Sequence, residues 1–200
     1  MTVQRMAASA GLVVVVAAAG WGVTTGAGIA EAGVSARAAD ASLAASPAAS
    51  PVSAQDRTFM DQASQINLTE ISLGKYMHAH STSTALRNLG ARYARDHTAA
   101  QASLRPLASS LGLTVPKAPN AQLRSMVAKV ESLKGKDMDV AFASISVSGH
   151  EAAIDIFKKE ESAGSNAAVK AYAAKYLPML QTHLRLAEHA ESALGVKPAS

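Results

Sequence analysis

One glutamate and three histidines break apolar seams in a chain that is otherwise poor in reactive side chains. Glu70 falls between Ile66 and Leu73, and His97 falls between Tyr93 and Ala100. His150 follows Ser146 by four and precedes Ala153 by three, and His183 lies seven from both Tyr176 and Ala190. Residues three, four and seven apart share one face of a helix, so these spacings turn all four ionisable groups inward. Imidazole and carboxylate donors suit a single Zn, Fe, Mn or Cu ion, which makes Glu70, His97, His150 and His183 a candidate metal set. Asp96, Glu151 and Tyr93 are its outer helpers, because a carboxylate behind an imidazole can orient it. The same four groups have a second reading, a closed polar network that fixes helix register without a metal.

Other chemistries find little support. The 200 residues contain no cysteine, which excludes disulfides, thiolate zinc sites and cysteine nucleophiles. A di-iron centre needs E-x-x-H on two helices, and that pattern occurs nowhere in the chain. No P-loop or nucleophile elbow is present. Lys and Arg number 19 against 15 Asp and Glu, for a net charge of +4, and they are scattered rather than gathered into a basic stripe. No nucleic-acid partner is therefore expected. His78, His80, Glu188 and His189 read as solvated, and Asn67-Leu68-Thr69 is a glycosylation sequon inside a helical stretch.

The elements that position the candidate set follow from periodicity. Hydrophobic residues are 48% of the chain but aromatics only 4%, a balance that disfavours a β-sandwich and suits close-packed helices. Ser53 and Asp56 form a helix-start signal, and Phe59, Ala63, Ile66, Leu73 and Met77 continue a seam to about Ala79. Ser83 caps a second helix through Leu86, Gly90, Tyr93, Ala100 and Leu104, closed by Gly112 and interrupted by Pro106. A long connection, Leu113 to Asp137, contains a short amphipathic helix near Ala121 to Leu133. Asp137 caps a third long helix with Phe142, Ile145, Ala152, Ile156 and Phe157 as its stripe. A fourth carries Val169, Tyr172, Tyr176, Leu180 and Leu186 past Pro178. Short turns within each pair and a long crossover between pairs predict an all-α, ferritin-like four-helix bundle over 55–194. Each polar seam residue lies roughly 11 to 18 residues from its hairpin turn, so all four fall near mid-bundle, ~17–27 Å along the helices.

Ahead of the bundle, residues 1–38 have the layout of a secretory signal: Arg5, a Gly11 to Val16 apolar run, and A-x-A patterns at Ala30 to Ala32 and Ala36 to Ala38. The competing reading is an uncleaved anchor, since Met6 to Ala30 carries no charge. Residues 39–54 form an Ala/Ser/Pro linker, and 195–200 a short tail. Export to the periplasm or extracellular space is expected, with no stable membrane insertion after cleavage.

The segments Glu70-Ile71-Ser72-Leu73-Gly74, Tyr93-Ala94-Arg95-Asp96-His97, Gly149-His150-Glu151 and Leu177 to Leu184 stand in an order that resembles a bacterial exported family, the domain of unknown function four-one-four-two. Its members are often labelled outer membrane proteins. The resemblance covers about Asp56 to Glu191 and implies a ferritin-like fold and export, with no established activity. Glu70, Asp96, His97, His150 and His183 match the family's polar pattern. The outer-membrane label would need alternating strands, which this chain lacks.

The expected function is that of an exported helical bundle with a Glu/His cluster, serving metal binding or stress response rather than hydrolysis or redox catalysis. Two alternatives stand beside it. One is a mononuclear metal-dependent enzyme, which needs an open coordination position. The other is an interaction module for an envelope protein or a second copy, presenting Leu123, Met126, Val127 and Val130 of the crossover.

Overall fold

Ser53 starts the first helix by a reciprocal device. Its hydroxyl accepts from the Asp56 backbone N–H while the Asp56 carboxylate accepts from the Ser53 N–H at 2.6 Å. The structure, a computed structural model, describes residues 51–196. The signal segment, the linker up to residue 50 and the end of the tail lie outside the described residues.

Helix α1 (Ala54–His80) turns at Ser81 into α2 (Thr84–Ser110), whose first turn is capped by Ser83. Helix α3 (Ala121–Ser132) lies in the crossover behind an Asn120 cap. Helix α4 (Gly135–Ala163) is followed by α5 (Ala167–Ala193), where the Asn166 side chain accepts from Ala168 and Val169. α1 packs chiefly on α2, and α4 on α5, forming the two hairpins. α1 also meets α4, α2 meets α5, and α3 bridges α1 and α4. The architecture is the all-α, ferritin-like bundle expected from the periodicity, with no strand among the described residues.

Several local expectations change. Asp137 does not cap α4. The helix begins three residues earlier than such a cap would place it, at Gly135 with φ +54°, behind a Lys134 cap position that makes no side-chain hydrogen bond. Asp137 sits instead in the first turn, where its charge favours the helix dipole. Neither proline ends its helix. Pro106 and Pro178, and the residues Ala102 and Ala174 whose carbonyls lose a donor, all lie on exposed faces. Water can reach the freed carbonyls there. The seam of α1 passes through Asn67 rather than the half-buried Ile66, and that of α4 through Ala153 and Ile154 rather than Ala152 and Ile156.

One close approach fixes the α1–α2 hairpin. A Cβ placed on Gly74 would stand 2.5 Å from the Gly90 carbonyl oxygen, and one on Gly90 would stand 2.6 Å from the Gly74 oxygen. Backbone meets backbone here, so no side chain can yield. Gly90→Ala should destabilise the fold by ~1–3 kcal/mol, the range of core overpacking. A urea transition midpoint within error of the parent's would contradict this.

The apolar core is split in two. One cluster contains Phe59, Leu104, Phe157, Tyr172 and Leu180. The other contains Leu73, Met77, Leu86, Tyr93, Val130 and Phe142. Along every long helix, the residues between these clusters include buried polar side chains: Asn67 and Glu70, His97, Ser146 and His150, and His183, with Gln101 one turn beyond His97. A polar layer therefore crosses the bundle between the two apolar clusters.

Candidate metal centre

The three histidines come from three helices, α2, α4 and α5, and none is more than 1% exposed. Their ring centroids are 5.9 Å apart for His97 and His150, and 5.3 Å for each of the other two pairs. One ring nitrogen from each lies within 4.8 Å of the other two. The Tyr93 ring covers the group, with its centroid 4.6 Å from that of His183 and 4.9 Å from that of His150. Its phenol, held neutral by burial, donates to the His183 carbonyl at 3.2 Å.

Each imidazole is anchored from behind by an acceptor, and this determines its tautomer. His150 Nδ1 lies 2.8 Å from the Ser146 carbonyl, one turn earlier on α4. His183 Nε2 lies 3.0 Å from the Asp96 carboxylate. His97 Nδ1 lies 2.9 Å from Asn67 Oδ1. Asn67 is oriented so because its amide nitrogen donates to Gln101 Oε1 and to the Tyr172 hydroxyl. Gln101 in turn donates to Ser64, which donates to the Pro116 carbonyl. A carbonyl or carboxylate can only accept, so the facing nitrogen carries the proton in each ring. The opposite nitrogens, His97 Nε2, His150 Nε2 and His183 Nδ1, are then bare lone pairs, and none of them has a hydrogen-bond partner.

The electrostatics agree with neutral rings. Burial lowers all three below the ordinary histidine value of 6.5. His97 falls well below it, helped by its two neighbours, and His150 falls to about 4. Burial also lowers His183, against the opposing pull of Asp96. Burial alone would raise Asp96, but the hydrogen bonds from His183 and Arg95 bring its carboxyl down. Arg95 meets one Asp96 oxygen at 2.9 Å, and Arg92 approaches the other at 3.4 Å.

The remaining expected groups separate. Glu70 is buried in the same layer, close to α4, since a Cβ on Gly149 would stand 3.9 Å from its carboxylate. It is not part of the group whose donor atoms lie within 4.8 Å of one another. Burial pushes its carboxyl up to about 8, and Oε2 has no partner. Asp96 lies behind His183, and the Tyr93 ring lies against His150 and His183. Glu151 is exposed and bonds none of the rings, because it falls one residue past the inward position held by His150. His78, His80, Glu188 and His189 are exposed as expected. The sequence reading missed Asn67 and Gln101, although Asn67 lies four residues after Ala63 and three before Glu70 on the same seam.

The donor set fits a metal ion. Three imidazole nitrogens with free lone pairs, proton-bearing backs held by acceptors, and ring orientations fixed from a second layer are the features of a histidine metal site. Nitrogens up to 4.8 Å apart stand wider than a shared ion at ~2.0–2.1 Å from each would hold them, so binding would draw the three rings together.

The comparisons with known proteins place the chain in a family without placing its chemistry. A family profile described as a domain of unknown function, DUF4142, matches residues 41–190. No curated protein matches the sequence. Among solved structures, the bundle is similar to a DUF305 fragment from Deinococcus radiodurans, with a TM-score of 0.62 and 14% identity over 72% of this chain and 98% of that one. It is similar to the same degree, 0.62 and 14%, to a DUF305 protein from Streptomyces coelicolor named as a candidate secreted protein, over 73% of this chain and 96% of that one. At such identity the likeness shows the fold alone. By the extent of the profile match, this chain belongs to the DUF4142 family of proteins with a domain of unknown function.

Proposed function

We propose that this chain is an exported metal-binding protein that holds one transition-metal ion through His97, His150 and His183. The observation that carries the reading is the convergence of three buried imidazoles, each with its inward nitrogen unpartnered and its outward nitrogen anchored. A closed polar network would pair those nitrogens with donors. Three lone pairs held together in a dry layer repel one another, and a cation relieves that repulsion. The signal-like segment at 1–38 and the candidate secreted neighbour support export.

In this reading the ion supplies charge and coordination, and the chain does the rest. Asn67, the Ser146 carbonyl and Asp96 hold the ring protons away from the ion. Tyr93 excludes water from one side. The two apolar clusters keep the layer at fixed height. Burial of all three ligands favours storage, sensing or delivery over catalysis on a bulky substrate. The crossover lends no particular weight to an interaction surface: Val127 and Val130 are buried against the bundle and Met126 packs beside them.

The test is metal analysis of protein bearing no His-tag. After exposure to a mixture of first-row ions and gel filtration, one ion per chain should remain, and His97→Ala with His183→Ala should carry none. Substoichiometric metal, unchanged by the double substitution, would overturn the reading. Asp96→Ala should leave the ligands in place but weaken binding by ~10–100-fold, the usual cost of losing an outer partner. An affinity unaffected by that substitution would remove Asp96 from the site.

A further inference from the structure

Resting on the metal-site reading, we propose that the three-histidine centre selects a monovalent d10 ion, Cu(I), over divalent ions. Charge sets the preference. The donor atoms are three neutral imidazole nitrogens, and no carboxylate belongs to the group. The one carboxylate that touches a ligand ring, Asp96, also meets the guanidiniums of Arg92 and Arg95, so its negative charge is already countered. The ligand side chains are sealed from solvent. Taking an ion out of water costs a free energy that grows with the square of its charge, so a bare dication loses about four times as much hydration as a monocation of equal size. Divalent centres of the zinc type meet that cost with anionic ligands, a fourth ligand or a bound hydroxide. This layer offers three neutral donors only. Alkali cations are monovalent too, but they prefer oxygen donors, whereas imidazole suits copper.

Coordination number points the same way. A three-coordinate nitrogen site is complete for Cu(I) and one ligand short for Zn(II). Zn(II) has the same filled d shell, so the comparison isolates charge and ligand number from orbital preference. Glu70 is the natural competitor, a buried carboxylate of the same layer that lies beside Gly149 of α4, next to His150. A dication would need to recruit it, and a monocation would not.

The experiment uses the full soluble chain without a His-tag. Anaerobic titration with Cu(I), buffered by a chromogenic Cu(I) chelator, is compared with Zn(II) and Cu(II) titrations, for the parent and for Glu70→Gln. The expected result is one Cu(I) per chain, bound at least ~100-fold more tightly than Zn(II), with an affinity that Glu70→Gln changes by less than about threefold. X-ray absorption should show three nitrogen neighbours and no fourth ligand. Equal or tighter binding of Zn(II) or Cu(II), or a Cu(I) affinity that collapses in Glu70→Gln, overturns the charge argument while leaving the metal site in place. Failure of every ion to bind a chain that melts cooperatively overturns the metal-site reading itself.

Discussion

Saturating the metal-free protein with its ion should raise the melting temperature by about 8–16 °C, and His97→Ala with His183→Ala should abolish the rise. An ion that binds only the folded chain contributes ~4 kcal/mol at a thousand times its dissociation constant. For a domain of this size each kcal/mol is worth ~2–4 °C. The shift should also depend on pH in a defined sense. The imidazoles have folded-state values below the ordinary 6.5, with His150 near 4. A depressed histidine disfavours the charged form in the fold. The histidines' share of the metal-free protein's stability is therefore present in full above about pH 6.5 and is lost progressively as pH falls through their folded values. Bound metal opposes protonation, so the loaded protein should melt at lower pH than the metal-free one. A melting temperature blind to metal in the parent, or an equal shift in the double variant, would contradict this account.

The second large effect lies far from the histidines, where α1 begins. Removing the Asp56 side chain should destabilise the fold by ~3–5 kcal/mol, the cost of leaving buried partners unpaired. Asp56 is fully buried and accepts from Ser53 N and Oγ on its own turn. It also accepts from Ser165 N and Asn166 N in the α4–α5 turn, at 2.9 and 3.1 Å. One carboxylate thus ties the start of the first hairpin to the turn of the second. Burial alone would raise its pKa, but the Ser53, Glu160 and Asn166 hydrogen bonds bring it well below the usual carboxylate range. Its contribution is present above the unfolded value of 3.8 and is lost as pH falls through the folded one. Glu160 beside it moves oppositely. Burial and the neighbouring Asp56 push its carboxyl up to about 7, while Gln55 donates to its Oε2. A raised carboxylate lowers stability increasingly as pH climbs from about 4.5 to 7. Glu160→Gln should remove that penalty, stabilising the chain above pH 7 and leaving it unchanged near pH 4. Urea unfolding of Asp56→Ala at pH 8, and of Glu160→Gln at pH 4 and 8, checks both. A loss below 1 kcal/mol for Asp56→Ala would show that the tie contributes little.

The fold was legible because each long helix carries its own caps and seam. Ser53 and Ser83 were readable as starts, since a hydroxyl ahead of an apolar repeat does the same work in any helix. The start of α4 was not. A glycine at φ +54° and a lysine cap position carry no side-chain signature, and Asp137 was the nearest conventional cap. The three histidines of the proposed site were legible as polar residues standing where apolar ones belong. Glu70 shared that signal but not the position, because seam membership gives face and approximate height and not the few ångströms that separate a ligand from a neighbour. The anchors divide along the same line. Asp96 was visible as the residue beside His97, yet it holds His183 on another helix. Ser146 acts through its carbonyl, which every residue has, so no residue type could announce it. Asn67 and Gln101 were hidden by their seam neighbours, although their mutual bond is what aims His97.

The central claim is that three unprotonated ring nitrogens converge to hold one ion, and crystallography of the metal-loaded protein with anomalous scattering at the metal edge tests it most directly. The account predicts a single strong peak ~2.0–2.2 Å from His97 Nε2, His150 Nε2 and His183 Nδ1, with Asn67, Ser146 and Asp96 still behind the rings. A peak at full occupancy elsewhere on the chain, with the three histidines hydrogen-bonded to one another or to water, would contradict it.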